Sequence, residues 1–507
     1  MFSQTDIEQI TAHGISPQSA QRQRKVVSEQ GQAMEIVKPA LPNDGMFVCK
    51  QMEIDNLLAN YKKNVSGKKI VKFVPASGAA TRMFKDLFEA WNLLKENPKQ
   101  EISDTAKVFF AHLQEFAFFD TLAEKMETQG QNLQQAIENE NYTVILEYLL
   151  TEKGLNYAEL PKALLFFHKY DDKKRTALEE HLMEAADYAD NTAYLHFTVS
   201  QEHKVFFEDL YKNVISTYEK LYGISYDIGF STQDASTDTI AFTQDNQPFR
   251  DKNGNLLFRP GGHGSLIDNL NNIDADIVLI KNIDNVCLDD YKSDTFTYKK
   301  VLLSLLSKLQ KRVFEYLKLL DKQEINANKL HEIEEFLQEN FFISLPKSYQ
   351  NISIKEKQDF IYQILNRPIR VCGMVKRENE PGGGPFWIQE AKGNLSLQIV
   401  ETSEMNLSDS KQQQILDKSQ FFNPVDLACS LKNHEGKKFE LHKYIDHSRY
   451  FVSEKSHEGK VLKAIENPGL WNGAMSDWLS VFIAVPLSTF TPIKTVNDFL
   501  RKEHSRG

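Results

Sequence analysis

The spacing of hydrophobic residues changes along the chain, from helical in residues 1–65 to strand-like from Lys69 onward. In the first part, mostly polar residues with apolar positions three or four apart predict helices over Asp6–Ile10, Pro17–Ala33 and Met52–Tyr61. The β-branched run Ile70–Val74 then predicts a buried strand. We therefore predict an N-terminal helical segment, residues 1–65, and one large domain, residues 66–507.

Strands and helices alternate through most of this domain. The first strand ends in a turn of small residues, Pro75-Ala-Ser-Gly-Ala-Ala-Thr-Arg-Met83, before a helix. Further strand-like runs occur at Tyr194–Val199, Asp276–Ile280, Ile369–Val375 and Leu395–Glu401. This alternation predicts an α/β fold, a mostly parallel open sheet with helices on both faces.

Two helix-rich stretches interrupt the alternation, at about residues 86–155 and 295–345. The first is aromatic, with Phe109, Phe110 and Phe116–Phe119, and the second has leucines at helical spacing among Lys and Glu. We expect helical insertions into the core domain. A separate helical domain is the alternative.

Composition narrows the class of protein. The 41% apolar and 26% charged residues are ordinary for a globular protein, and the net charge of −10 argues against broad nucleic-acid binding. The four cysteines are far apart, as in reduced intracellular proteins. The N-terminus has no signal-peptide pattern, and no apolar run approaches the roughly 20 residues of a membrane span. We predict a cytoplasmic protein without a membrane partner, and the oligomeric state stays open.

Three segments carry candidate phosphate chemistry. In the turn Ser77-Gly-Ala-Ala-Thr-Arg82, small side chains let backbone N–H groups approach a phosphate, and Arg82 offers a forked donor. Lys162 and Lys494 each follow a proline within three residues, which would fix a cation in place. The alternatives are a turn that is small only for packing and lysines that are only surface residues.

Three further segments suggest ligand contacts. The glycine-dense loop Arg259-Pro-Gly-Gly-His263-Gly would lie flat against a base or ribose. Asp284, in Asn282-Ile-Asp-Asn285, follows a predicted strand where α/β sheets bind ligands, and its carboxylate could hold Mg²⁺; a turn-forming Asn/Asp pair is the alternative. Glu180-His181 could be an acid–base or metal pair, but a solvated helix face fits these residues better.

In this order, these motifs resemble the UDP-sugar pyrophosphorylase superfamily, with its GG-x-G-T-R turn, P-K segment, P-G-G-H-G loop, N-x-D-N strand end and late P-V-K lysine. The chain is identified as a member of a bacterial branch of that superfamily, domain-of-unknown-function family 4301, over roughly Lys69 to Leu500. The resemblance implies a GT-A/Rossmann-like nucleotide-diphospho-sugar transferase core in residues 66–507. It also implies Mg²⁺ as cofactor, with UTP and a sugar 1-phosphate as substrates.

The resemblance assigns a role to each matching residue. It implies catalytic contacts for Arg82, Lys162 and Lys494, and a metal ligand in Asp284. The nucleotide-binding residues it implies are Ala76, Ser77, Gly78, Ala79, Thr81, Gln233, Gly261, Gly262, His263 and Gly264. Those implied for the sugar are Glu401 and Asn423.

The turn departs from the family pattern, with Ser77, Ala79 and Ala80 where relatives have glycine. If these positions had positive φ, each alanine would cost about 1–2 kcal/mol, and we would expect a reshaped turn. Arg82 and Lys162 are also 80 positions apart, whereas relatives keep them close, so we expect a helical insertion to loop out between them.

The resulting functional hypothesis is a Mg²⁺-dependent uridylyltransferase that forms a nucleotide sugar and pyrophosphate. Two alternatives stay open. A sensor would bind a nucleotide or nucleotide sugar without catalysis. A glycosyltransferase would need an Asp-x-Asp pair, but Asn282 stands two residues before Asp284.

Overall fold

The structure is a computed structural model, and it describes residues 2–29, 34–378, 382–390, 394–457 and 459–506. The chain forms two compact units that are interleaved in sequence. The first unit comprises Met1–Ile70, Gln233–Ile280 and Lys300–Leu487, and the second comprises Val71–Thr232, Lys281–Lys299 and Ser488–Gly507. The division proposed at residue 65 stays a prediction.

Helices and strands alternate along most of the chain. The helices are α1 (Gln4–Ala12), α2 (Pro17–Ser28), α3 (Gln51–Ala59), α4 (Tyr61–Val65), α5 (Lys85–Glu96), α6 (Asp104–Ala111), α7 (Phe119–Glu127), α8 (Leu133–Glu138), α9 (Tyr142–Leu150), α10 (Ala177–Tyr188), α11 (Lys204–Tyr222), α12 (Ile267–Asn272), α13 (Ser293–Asp321), α14 (Ala327–Phe341), α15 (Ile354–Leu365) and α16 (Ser410–Asp417). The strands are β1 (Ile36–Pro39), β2 (Leu41–Pro42), β3 (Gly45–Met46), β4 (Ile70–Pro75), β5 (Phe166–Lys169), β6 (Lys174–Thr176), β7 (Thr192–Val199), β8 (Ser225–Thr232), β9 (Thr239–Ile240), β10 (Phe258–Arg259), β11 (Ile277–Lys281), β12 (Ile369–Lys376), β13 (Gly384–Gln389), β14 (Leu395–Val400), β15 (Phe421–Phe422), β16 (Asp426–Ser430), β17 (Phe451–His457), β18 (Lys460–Glu466) and β19 (Leu479–Ala484).

The second unit contains a parallel arrangement of strands. β7 pairs in parallel with β4 on one side and β8 on the other. The connections are helical, since α10 packs on β7 and α11 leads from β7 to β8. A capping box at Thr176 and Glu179 begins α10, and Gly223 ends α11 with φ +67°. Helices α5 to α9 occupy the stretch between β4 and β5.

The first unit holds a mixed sheet around β12. β12 pairs in parallel with β19 and in antiparallel fashion with β15 and β16, and β16 adjoins β11. The run Leu395–Glu401, predicted for the mostly parallel sheet, lies elsewhere: β14 belongs to a separate antiparallel sheet with β1 and β13. The strand prediction itself was right for β14. Its sheet was wrong because an apolar run carries no information about its pairing partner.

The fold is α/β, with mostly parallel central strands flanked by helices, as predicted. The helix predicted over Pro17–Ala33 is α2, which ends at Ser28; residues 30–33 lie outside the described residues. Among the described helices, none is both long and apolar enough to cross a membrane.

Candidate functional site

Two lysines and one aspartate, distant in sequence, meet in the second unit. The Nζ of Lys162 lies 2.7 Å from Oδ2 of Asp284, and the Nζ of Lys494 lies 3.3 Å from the same oxygen. The side chain of Asp284 is 9% exposed and that of Lys494 is 56% exposed. We call these three residues the Lys–Asp–Lys cluster. It places two positive charges at the surface end of a nearly buried carboxylate.

Backbone contacts hold the cluster together. Asp284 is the third residue after β11, and its carbonyl accepts a hydrogen bond from the N–H of Ile493 at 3.0 Å. The Ile493 carbonyl in turn accepts from Lys162 Nζ at 2.9 Å. Asn285 fixes the same late segment, since its Oδ1 accepts from the N–H of Thr491 at 2.9 Å. The hydrogen bonds of Thr491 and Ile493, just before Lys494, thus bring the late lysine beside the aspartate.

Burial and neighbouring charges act in opposite directions on the pKa values of Asp284 and Lys162. Burial acts to raise the pKa of Asp284, but Lys494 and Lys162 outweigh it and hold that pKa below its usual value. Burial lowers the pKa of Lys162, and Asp284 opposes this. The pairing therefore keeps Asp284 ionised and available as an oxygen ligand or an acceptor.

The small-residue turn lies next to Lys162, despite 80 intervening positions. The N–H of Lys162 donates to the Gly78 carbonyl at 3.3 Å, and the N–H of Ala80 donates to the Leu160 carbonyl at 3.0 Å. Helices α5 to α9 loop out between the two segments. The N–H of Val496 also donates to the Met83 carbonyl at 3.1 Å. The turn therefore contacts both the segment that carries Lys162 and the segment that carries Lys494.

The turn carries no left-handed backbone strain. Ala79 has φ −62° and ψ 149°, and neither Ser77 nor Ala80 has positive φ. The expected cost of alanine at these positions is therefore absent, because the backbone here is one that any residue adopts. Ala76 and Ala80 are fully buried. The exposed members of the turn are Ser77, Gly78, Ala79, Thr81 and Arg82.

A divalent metal at Asp284 is chemically reasonable. Among the described residues there is no group of three or more His, Cys, Asp or Glu side chains positioned to hold a metal ion. Mg²⁺ commonly takes only one or two protein carboxylates and completes its shell with phosphates and water. The carboxylate of Asp284, paired with Lys162 beside the exposed turn, fits that mode of binding.

The glycine-dense loop lies in the first unit and is fixed by its histidine. The ring of His263 stacks on Trp471 at a centroid distance of 4.1 Å. Its Nδ1 accepts from the Leu470 N–H at 3.0 Å, and its Nε2 lies 3.3 Å from Oε1 of Glu401. Burial acts to raise the pKa of Glu401, but the hydrogen bond and charge of His263, together with Asn472 and Arg449, outweigh it and hold that pKa below its usual value. His263 and Glu401, predicted for nucleoside and sugar, are thus neighbours.

The glycines of this loop are pressed against protein. A Cβ on Gly264 would lie 2.3 Å from the Pro468 carbonyl oxygen, and one on Gly261 would lie 2.3 Å from Nδ2 of Asn467. Gly262 has φ +75°, which only glycine adopts easily. The loop therefore needs glycine for its own packing, whatever ligand it contacts.

Two other predicted residues have protein partners. Gln233 donates to Asp238 at 3.3 Å, and the same carboxylate lies 3.0 Å from Nε2 of His13. Asn423 is 5% exposed, and its amide donates to the Gly373 carbonyl and accepts from the Val425 N–H. The roles of both residues in ligand binding stay predictions.

The expectation of a solvated face for Glu180-His181 was wrong, because both residues are fully buried. Glu180 contacts His168, Arg175 and Lys292, all in the second unit. Buried charges require such partners. The expectation failed because other parts of the protein cover α10 on all sides. The sequence of a helix alone does not reveal what packs against it.

Sequence reasoning missed the residues that support these sites. Trp471 holds the His263 ring, and the Ile493 carbonyl holds Lys162. Trp471 could have been found, since it lies in the turn-rich run Asn467-Pro-Gly-Leu-Trp-Asn-Gly473. A backbone carbonyl leaves no such signal.

Comparison with known proteins adds a family and a set of distant structures. A family model described as Domain of unknown function (DUF4301) matches residues 3–505. No curated protein matches the sequence.

Several solved structures are similar at low identity. The uridine diphosphate N-acetylglucosamine pyrophosphorylase of Trypanosoma brucei, in complex with an inhibitor, is 11% identical; the match covers 98% of this chain and 77% of that chain, with a TM-score of 0.49. For the UDP-glucose phosphorylase of Trypanosoma brucei the identity is 13%, the coverage 99% and 80%, and the TM-score 0.46. For the UDP-glucose pyrophosphorylase of Leishmania major these values are 12%, 99% and 79%, and 0.44.

Proposed function

The chain belongs to the family Domain of unknown function (DUF4301), and we propose that it is a nucleotidyltransferase that joins UTP and a sugar 1-phosphate into a nucleotide sugar. The observation that carries this proposal is the convergence of Lys162 and Lys494 on Asp284, beside the exposed turn that ends in Arg82. The motif resemblance, with all five segments in the family's order, supports it.

The reaction needs positive charge more than it needs a base. An oxygen of the sugar phosphate attacks the α-phosphorus of UTP, the bond to the bridging oxygen breaks, and pyrophosphate leaves with the electron pair. The attacking oxygen is already an anion, so no proton has to be removed. The barrier comes from bringing two polyanions together and from charge growing on the leaving group.

The chain's own residues would meet that need. Lys162, held by the Ile493 carbonyl and 14% exposed, is fixed to contact phosphate oxygens. Lys494 is more exposed and can reach a substrate by turning away from Asp284. Arg82 would clamp phosphate oxygens in a fork. Mg²⁺ bound at Asp284 would supply further charge neutralisation for the nucleotide phosphates.

The first experiment is exchange of labelled pyrophosphate into UTP with Mg²⁺ and a panel of nucleotide sugars. We expect wild type to catalyse exchange and Lys162→Ala to lose it by ~10²–10³-fold, the effect of removing one preorganised charge. Lys125→Ala, an exposed lysine on α7 in the same unit, is the matched control and should retain exchange. Equal rates in wild type and Lys162→Ala would refute the proposed role of the cluster.

A non-catalytic nucleotide sensor is the second candidate. It is favoured by the neutralisation of Asp284, whose Oδ2 already accepts both lysine ammonium groups. A metal at Asp284 would have to share the carboxylate with both lysines. This reading predicts that UTP or a nucleotide sugar raises the melting temperature of the protein while no pyrophosphate exchange occurs with any sugar.

A further inference from the structure

A cavity of about 850 Å³ lies in the first unit. It is lined by residues of α3 and α4, by one face of α13 and by the loop after β16. Its volume is in the range of sites that hold small molecules, roughly 300–1,000 Å³. Lys68 and Asp276 on its wall stand just before β4 and β11.

The lining of this cavity is strongly basic. Two carboxylates, Asp276 and Glu315, face six lysines, which are Lys63, Lys68, Lys308, Lys311, Lys318 and Lys432. Both carboxylates are already engaged. Asp276 lies 3.1 Å from Lys432, and Glu315 lies 3.2 Å from Arg312. Most of the positive charge is therefore not neutralised by the cavity's own acids.

Three of these lysines share one face of a single helix. Lys308, Lys311 and Lys318 are three and seven positions apart on α13, all exposed. Among the described residues, none of the three has a salt bridge. Like charges three positions apart destabilise a helix. An anion bound between them would remove that repulsion.

Two buried polar atoms on the cavity wall lack hydrogen-bond partners among the described residues. They are Oγ of Ser307 and Nδ1 of His434. The side chain of His434 is 3% exposed, and its Nε2 lies 2.6 Å from Oδ2 of Asp321. If Nε2 donates to that carboxylate, Nδ1 is left as an acceptor that needs a donor. A ligand hydroxyl is such a donor.

We propose that this cavity binds a small organic phosphate, with its phosphate group on Lys308, Lys311 and Lys63 and its hydroxyl-bearing part against Ser307 and His434. A phosphate alone would meet the lysines but would leave the polar atoms at the wall unpaired. A neutral sugar would pair with those polar atoms but would leave the charge of the lysines without a partner. The proposal does not rest on nucleotidyl transfer, because it concerns other residues.

The test is isothermal titration calorimetry on the full chain carrying Lys162→Ala and Lys494→Ala, so that the other candidate site does not contribute. The probes are glucose 1-phosphate, uridine monophosphate, inorganic phosphate and glucose. We expect the organic phosphates to bind more tightly than inorganic phosphate, and glucose to give no heat. Adding Lys308→Glu and Lys311→Glu should weaken organic phosphate binding by at least about tenfold.

The matched control is Lys62→Glu. Lys62 is also exposed on α4 and adjoins Lys63 in sequence, but it does not line the cavity. Its variant should bind the organic phosphates as the parent does. The proposal is overturned if neither organic phosphate binds, if inorganic phosphate binds as tightly as they do, or if Lys62→Glu weakens binding as much as the Lys308/Lys311 pair.

Discussion

At the scale of single residues, the glycines of the two candidate binding loops have opposite surroundings. A Cβ on Gly78 would meet open space, and its φ is not in the left-handed region. A Cβ on Gly264 would meet the Pro468 carbonyl oxygen at 2.3 Å. The first glycine therefore leaves room for a ligand, while the second is required by the protein's own packing.

These surroundings predict different effects of the same substitution. The added methyl group of Gly264→Ala would push this backbone away from the Pro468 carbonyl. The substitution should therefore lower the free energy of unfolding by about 1–3 kcal/mol. Gly78→Ala restricts the unfolded chain without strain in the folded one, so stability should stay equal or rise by up to about 1 kcal/mol. Urea denaturation of both variants measures this. A Gly78→Ala protein as unstable as Gly264→Ala would contradict the described turn.

Gly78→Ala also tests the phosphate contact. If phosphate oxygens approach the Gly78 backbone, an added methyl group obstructs them, and pyrophosphate exchange should fall by about tenfold or more although the protein is stable. Lys125→Ala, on α7 and outside the turn, serves as the control. Unchanged exchange in Gly78→Ala would remove this glycine from the proposed site.

The candidate residues could be read from the sequence, but their partners could not. Lys162, Asp284 and Lys494 stand out because prolines and a strand end fix them locally. That both lysines share one carboxylate oxygen depends on two hydrogen bonds between segments distant in sequence, from the Ile493 N–H to the Asp284 carbonyl and from the Thr491 N–H to the Asn285 side chain. Such contacts have no local sequence signal.

At the scale of elements, a chain of buried histidines links β5, α10 and the C-terminal segment. Nδ1 of His168 lies 2.9 Å from Glu180 on α10, and its Nε2 lies 3.0 Å from Nδ1 of His504. Arg501 approaches Nε2 of His504 at 3.4 Å. One tautomer satisfies these three contacts, with Arg501 donating to His504, His504 to His168 and His168 to Glu180. Both histidines are then neutral.

This arrangement predicts acid sensitivity. Burial lowers the pKa of His168, and burial with the neighbouring His168 and Arg501 lowers that of His504. Groups with lowered pKa stabilise the fold above the unfolded pKa, near 6.5 for histidine, and that stability is lost as the pH falls below it. The free energy of unfolding should drop by up to about 1.4 kcal/mol per pH unit for each extra proton bound on unfolding.

Urea denaturation at pH 8, 6.5 and 5.5 measures the effect. His504→Gln should flatten the loss between pH 6.5 and 5.5, although it lowers stability at pH 8. His331→Gln is the control, since this side chain is 69% exposed and should leave the pH dependence unchanged. A wild-type protein equally stable at pH 8 and 5.5 would contradict neutral burial of these histidines.

The strands that the sequence predicted differ in composition from the strands that it did not predict. Runs dense in β-branched or apolar residues, such as those of β4 and β11, were found. β8 was missed because Ser225–Thr232 is half-exposed and polar, and β16 because Asp426–Ser430 has small, mixed residues. In both strands it is pairing with neighbours, not propensity, that makes the strand.

At the scale of the whole molecule, the last segment of the chain completes a unit begun near residue 71. Phe499 is 3% exposed and lies among the rings of Phe116, Phe118 and Phe167, with centroid distances of 6.1, 6.2 and 5.1 Å. The aromatic insertion is thus part of the core of the second unit, and the C-terminal segment supplies one of its rings.

Phe499→Ala should therefore destabilise the second unit by about 3–5 kcal/mol, because it removes a buried ring and leaves a cavity. Hydrogen exchange of peptides within residues 71–232 measures this, and their protection should fall. Phe206→Ala is the control, as that ring is 53% exposed on α11 in the same unit. Equal protection in wild type and Phe499→Ala would show that this ring is not a core contact.

The interleaving of the two units has a consequence for biosynthesis. Residues 71–232 leave the ribosome early, but Ser488–Gly507, which complete their core, emerge roughly 250 residues later. At roughly 5–20 residues per second, the nascent second unit waits about 10–50 s with aromatic surface exposed. Such a chain would depend on chaperones during synthesis, and slow translation of its second half would favour aggregation.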